Sequence, residues 1–141
     1  MGALKRYSYL VSTVLLVLLF GAAGVFNVLP IFIDMPGNDM PNQFRRFVHI
    51  PPLSYLKVHP DLYMFSVGLS ELIAAGIIIL ASRGGRAQTL ATYYLGIVMI
   101  GAAYTHAMVG DPVEKFGGVL MGSVLVLVRL YSMNKLKLKF D

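Results

Sequence analysis

The stretch Tyr104-Thr105-His106-Ala107-Met108-Val109-Gly110-Asp111-Pro112-Val113-Glu114-Lys115-Phe116 stops one apolar helix and starts another almost at once. Gly110 can take the left-handed conformation that closes a helix. Asp111 then offers an N-cap oxygen, Pro112 suits the first helical position, and Glu114 stands where a capping box needs its acid. The spacing predicts two antiparallel neighbouring helices. Apolar runs flank the turn on both sides, so the hairpin formed around Gly110, Asp111, Pro112 and Glu114 belongs inside or at the edge of a membrane, with the His106 imidazole just before the bend.

The rest of the chain agrees with that setting. Of 141 residues, 57% are hydrophobic and only 13% charged, with a mean hydropathy of +0.70. This is too apolar for an ordinary soluble domain and reads as one integral membrane domain over residues 1–141. The net charge of +5 does not mark a nucleic-acid binder, because the basic residues flank apolar runs instead of forming one stripe. A lipid bilayer surface explains them better, and no nucleic-acid partner is expected. With no cysteine, disulfides, thiolate metal sites and CxxC redox chemistry are excluded.

Four apolar runs follow in order. No charge occurs from Tyr7 to Ile33, which places a first span at about residues 9–29. A cleavable signal peptide is the competing reading, but the run exceeds a usual signal core. Gly21, Gly24 and Asn27 share nearly one face and would let another helix approach an amide closely. Residues 62–81 form the second span, with Glu71 near its centre, and residues 90–109 the third, with Tyr93, Tyr94, Tyr104, Thr105 and His106 as its polar or amphipathic members. Residues 116–133 form the fourth, which carries a GxxxG pair, Gly118 and Gly122, and Arg129. The expected fold is all-α, a four-transmembrane-helix bundle. Gly24, Gly68, Gly118 and Gly122 are its expected close-packing positions, and the last two serve either internal packing or a homo-oligomer or client face.

Between the first two spans, Pro36, Pro41, Pro51, Pro52 and Pro60 break the chain repeatedly. Asn42 to Ile50 forms either a plain loop or a short interfacial helix, with Phe44, Phe47 and Val48 on one side and Arg45, Arg46 and His49 on the other. Basic residues set the orientation. Lys5, Arg6, Arg83, Arg86, Lys135, Lys137 and Lys139 lie on one side, whereas Arg45, Arg46, Lys57 and Lys115 on the other are balanced by acids. Both termini are therefore expected in the cytosol and the first loop in the lumen. The tail Lys137-Leu138-Lys139-Phe140-Asp141 has the spacing of a dilysine retrieval signal read by coat machinery, with a plain positive-inside anchor as the alternative.

The intramembrane polar residues carry the functional question. A charged acid at a helix centre costs about 2.5–3.5 kcal/mol on insertion scales, so Glu71 should face other helices. Its expected partners are Asn27, Tyr104, Thr105, His106 and Arg129. Glu71 either ties helices together or marks a proton, ligand or client site. Arg129 either pairs with it or snorkels to the headgroups. One histidine without a second ligand at metal spacing predicts no metal site. No nucleophile is evident and no catalytic residue is assigned.

The string from His106 to Phe116, followed by Arg129-Leu130, resembles the novel acetylcholine receptor chaperone (NACHO) family, small four-helix membrane proteins related to the DoxX-like group. Gly24-Val25-Phe26-Asn27-Val28-Leu29-Pro30 and Gly68-Leu69-Ser70-Glu71-Leu72 are similar to that family's first- and second-helix motifs, although the family more often has lysine where this chain has Asn27. The resemblance implies a non-enzymatic endoplasmic reticulum membrane chaperone, without cofactors, that promotes assembly and surface delivery of nicotinic acetylcholine receptor-type channels. Asn27, Glu71, His106 and Arg129 are then the polar client-binding candidates. The alternative is a DoxX-like membrane oxidoreductase component, which the missing cysteines and the lack of paired axial histidines oppose. A proton or small-solute carrier would use Glu71 and His106, but no repeat or broken helix supports it.

Overall fold

The computed structural model describes the backbone of residues 2–81 and 85–140 and side chains as far as Met133. The retrieval-signal side chains of Lys137 and Lys139, and Arg83 of the basic turn, lie outside the described residues.

The described residues are helical, without strands. Helix α1 spans Gly2–Val28 and ends in a 3-10 turn, Leu29–Ile31, where Pro30 removes a donor. Two short helices follow, α2 (Met40–Phe47) and α3 (Leu53–Leu56). Then come α4 (Pro60–Leu80), α5 (Arg86–Val109), a 3-10 turn (Val113–Lys115) and α6 (Phe116–Phe140). Helix α2 has the amphipathic pattern read from the loop, shifted to begin at Met40: Phe44, Phe47 and Val48 are buried while Arg45, Arg46 and His49 are exposed.

Helix α4 begins earlier than residue 62 because His59-Pro60-Asp61 is itself a start signal. His59 is extended, its ring Nδ1 accepts from the Asp61 amide at 3.2 Å, Pro60 opens the helix and Asp61 places an acid in the first turn. The same grammar fails at Asp111-Pro112. Gly110 does close α5 in the left-handed conformation at φ 73°. Pro112, however, is extended and precedes the 3-10 turn with no side-chain cap, so the expected N-cap at Asp111 and capping box at Glu114 are not formed.

Helix α1 packs against α4 and α6, and α5 packs against the same two. Leu16 and Phe20 of α1, Ala74 and Ile78 of α4, Ala91 and Leu95 of α5 and Val126 of α6 meet in one buried cluster. Each neighbouring pair is antiparallel, as the contacts show for α5 and α6: Gly122 meets Met99 whereas Met133 meets Thr92. The start of α1, the end of α4, the start of α5 and the end of α6 therefore share one end of the array, and the 29–59 loop and the α5–α6 turn share the other.

The closest approach is between α1 and α4. A Cβ on Gly24 would stand 2.9 Å from the Gly68 carbonyl oxygen, and one on Gly68 would stand 2.6 Å from the Asn27 Cβ. Gly122 likewise lies under Met99, but Gly118 meets nothing within 4 Å, so the GxxxG pair does not act as one internal interface. Gly21 also meets nothing within 4 Å, which leaves Gly24 and Asn27 as the working part of that face.

Polarity is arranged inside out. Ser12, Asn27, Glu71, Gln88, Thr92, Arg129 and Ser132 are buried, while Leu18, Ile73, Ile79, Ile97, Ile100 and Leu127 are exposed. Among the described residues three segments, Gly2–Ile31, Pro60–Leu80 and Val113–Met133, are long and apolar enough to cross a membrane. Helix α5, with 24 residues, has the length, but Gln88, Thr92, Tyr93, Tyr94, Tyr104, Thr105 and His106 dilute its apolarity.

Candidate functional site: a cavity beside Asn27 and Glu71

The polar residues expected to form one set fall into two, at opposite ends of the helices. At the loop end, the α1–α4 contact brings Asn27 against Glu71, whose side chain turns inward as its cost in lipid requires. Asn27 Nδ2 donates to Glu71 Oε1 at 3.3 Å, and both residues are only 4% exposed. Among the described residues this is the carboxylate's only hydrogen bond, and Asn27 Oδ1 has no partner. The other expected partners are engaged elsewhere: the Tyr104 hydroxyl donates to the Pro51 carbonyl at 2.9 Å, and Thr105 Oγ1 to the Gly101 carbonyl at 2.7 Å.

Asn27 and Glu71 line a cavity of about 390 Å³ between α1, α2, α4 and α5. That is within the common range of roughly 300–1,000 Å³ for ligand pockets. Phe44 and Phe47 of α2 cover it, Tyr63 and Val67 of α4 and Tyr94, Val98 and Thr105 of α5 form its walls, and His106 closes one side. The Tyr94 hydroxyl donates to Ser70 Oγ across the α4–α5 seam. The cover is also aromatic in its own packing, with Phe44 edge-on to Phe47 at 5.3 Å and to Tyr63 at 5.4 Å.

His106 is held by the turn that follows it. Its Nδ1 stands 2.6 Å from Asp111 Oδ2, a distance at which an Nδ1–H donates to the carboxylate, and its ring is edge-on to Phe47 and Phe116. Arg46 of α2 donates to the other carboxylate oxygen at 2.9 Å. The His106 hydrogen bond holds the Asp111 carboxyl below its ordinary range, with the Arg46 hydrogen bond and charge acting in the same direction. Lys115 lies 3.8 Å from Asp39, just before α2. Two ion pairs thus tie the helix covering the cavity to the α5–α6 turn. The sequence reading found Asp111 for the wrong reason, because its partners come from α2 and from the preceding helix.

The second set is built around Arg129, which is fully buried and neither snorkels nor meets Glu71. Its Nη1 donates to Thr13 Oγ1 and its Nη2 to Gln88 Oε1, each at 3.1 Å, and its guanidinium carbon lies 4.9 Å from the Tyr9 ring centroid. Gln88 also accepts from the Tyr9 hydroxyl at 2.8 Å and donates to the carbonyls of Ile78 and Ala81, closing the end of α4. Sequence reasoning missed Tyr9, Thr13 and Gln88. Their signal was polarity inside apolar runs, at positions where a tyrosine, threonine or glutamine is easily taken for an interfacial residue.

Among the described residues these features define an all-helical protein with three candidate membrane-spanning helices, a polar interior and a ligand-sized cavity lined by an acid, an amide and aromatic rings. No family model matches the chain. It is 24% identical over 136 residues to the protein named novel acetylcholine receptor chaperone of Mus musculus, covering 96% of this chain and 80% of that protein. The similarity to its namesakes from Macaca fascicularis and Bos taurus is also 24% over 96% of this chain, covering 80% and 76% of theirs. The similarity to this group, read in the sequence around His106 to Phe116, therefore extends over nearly the whole chain.

Proposed function

We propose that the protein is a membrane chaperone of the endoplasmic reticulum that promotes folding, assembly and surface delivery of multi-subunit membrane proteins, with ligand-gated channels of the nicotinic acetylcholine receptor type as its clients. The observation that carries this reading is the similarity, over 96% of the chain, to proteins named for chaperoning acetylcholine receptors. In this reading α5 crosses the membrane with the other three long helices. The exposed Leu90, Ile97, Ile100 and Met108 on α5 support it. Both termini face the cytosol, and α2 and the α5–α6 turn face the lumen.

The work is non-enzymatic. Subunit helices awaiting their neighbours carry polar groups that lipid cannot satisfy, each at a cost of several kcal/mol by order of magnitude. A helical surface with an acid and an amide behind a lateral opening can shield such groups and release them as native neighbours arrive. Affinity capture of the tagged protein from native membranes tests this. Unassembled channel subunits should co-purify and fully assembled pentamers should not; capture without channel subunits would remove the proposal.

A further inference from the structure

We propose that the cavity beside Asn27 and Glu71 is a binding site for a primary alkylammonium group. The reasoning rests on the cavity itself and not on the chaperone reading. Asn27 is 4% exposed and lines the cavity, yet its Oδ1 accepts nothing. Glu71, equally buried and lining the same space, receives one hydrogen bond of 3.3 Å, which leaves a carboxylate with room for several acceptors almost unserved. Buried acceptors of this kind are costly to leave unmade, so the vacant space calls for a donor.

The lining decides which donor. No lysine or arginine is among the residues around the cavity, and His106 is already committed to Asp111. The only acid in the wall is Glu71, and the rings of Phe44, Tyr63 and Tyr94 line the same cavity. A cation is therefore favoured both by the carboxylate and by aromatic faces. A primary ammonium has three N–H donors, enough to reach Asn27 Oδ1 and the Glu71 carboxylate together, whereas a quaternary ammonium has none. Apart from Gln43, whose amide donates to Asp39, and Thr105, whose hydroxyl donates to the Gly101 carbonyl, the rest of the wall is mostly apolar, including Val67, Val98 and Ile97, and accepts an alkyl body. Tyr94 and Ile97 of the lining are 38% and 65% exposed, so the α5 wall of the cavity reaches the outer face of the helices, within reach of an amphiphile in the bilayer.

The amine could come from a lipid headgroup such as ethanolamine or from a free alkylamine, and the test separates them. Full-length protein in phosphatidylcholine nanodiscs is titrated with hexylammonium, hexanol and hexyltrimethylammonium, reading heat and the shift in melting temperature. Hexylammonium should bind saturably and raise the melting temperature, with at least tenfold lower affinity for the other two. Glu71→Gln and Ala102→Phe, which fills the cavity from α5, should each weaken hexylammonium at least tenfold. Replacing phosphatidylcholine with phosphatidylethanolamine should weaken it in proportion if the lipid is the natural source, and leave it unchanged if a free amine is. Absence of hexylammonium binding to the wild-type protein overturns the proposal. So does equal binding of hexanol or hexyltrimethylammonium by the wild type, which needs no variant to fold.

Discussion

Replacing Asp111 with alanine removes the carboxylate that joins the α5–α6 turn to the helix covering the cavity. Two bonds are lost, 2.6 Å to His106 and 2.9 Å to Arg46. The first lies between side chains only 13% and 3% exposed and has the character of a charge-assisted bond, about 1.5–3 kcal/mol. The Arg46 side chain is 49% exposed, so solvent screening holds its share to about 0–1 kcal/mol. Asp111→Ala should therefore destabilise the protein by roughly 2–3 kcal/mol, measured by reversible unfolding in mixed micelles. Glu114→Ala is the matched control: a capping box would make it costly, whereas the exposed, uncapped Glu114 of this structure makes it neutral within about 0.5 kcal/mol. Equal losses from the two variants, or a loss below about 0.5 kcal/mol for Asp111→Ala, would refute the strap and restore the cap.

Three further outcomes follow from the same geometry. The Asp111 carboxyl has a lower pKa folded than its ordinary 3.8, so its contribution is complete above 3.8 and is lost below it, as pH falls through the lower folded value. Acid titration of stability should show this loss in the wild type and not in Asp111→Asn. Gly68→Ala should cost about 1–3 kcal/mol, because its methyl would meet Asn27 Cβ at 2.6 Å and backbone oxygen at 2.9 Å, while Gly118→Ala, in open space, should be neutral or gain up to about 1 kcal/mol from helix propensity. Gln88→Ala strips partners from Arg129 and Tyr9 and from the last carbonyls of α4, so it should cost more than about 2 kcal/mol and lower abundance, as read by melting temperature and steady-state protein level.

The long helices were legible because apolar runs, proline breaks and Gly110 are local signals. The loop's amphipathic pattern is local too, but so short a stretch leaves a plain loop and a short helix equally open, and the structure forms the helix over Met40–Phe47. The inward Glu71 follows from the cost of a mid-span acid, but the sequence leaves five candidate partners for it, and only the close α1–α4 approach selects Asn27. What escaped was azimuth and long-range pairing. The Arg46–Asp111 contact joins residues 65 apart, and Arg129 finds Thr13 and Gln88 at separations of 116 and 41. Hydrophobic periodicity in a helix apolar on nearly every side does not say which face meets which neighbour. Sequence alone therefore leaves Arg129 to Glu71 or to the headgroups, whereas the antiparallel array puts it at the opposite end from Glu71. The capping pattern reads plainly at Asp111-Pro112, where Arg46 and His106 claim the carboxylate, and is less visible at His59-Pro60-Asp61, where a histidine supplies the cap.

The chaperone proposal meets its most direct test in cells that lack related proteins. A nicotinic-type channel is co-expressed with this chain or without it, and its surface delivery is measured alongside total subunit level. Delivery should rise severalfold with the wild-type protein while total subunit rises less, and Asp111→Ala should reduce both chaperone abundance and delivery. Delivery that is the same with and without the protein, for every channel of this class tried, would contradict the account.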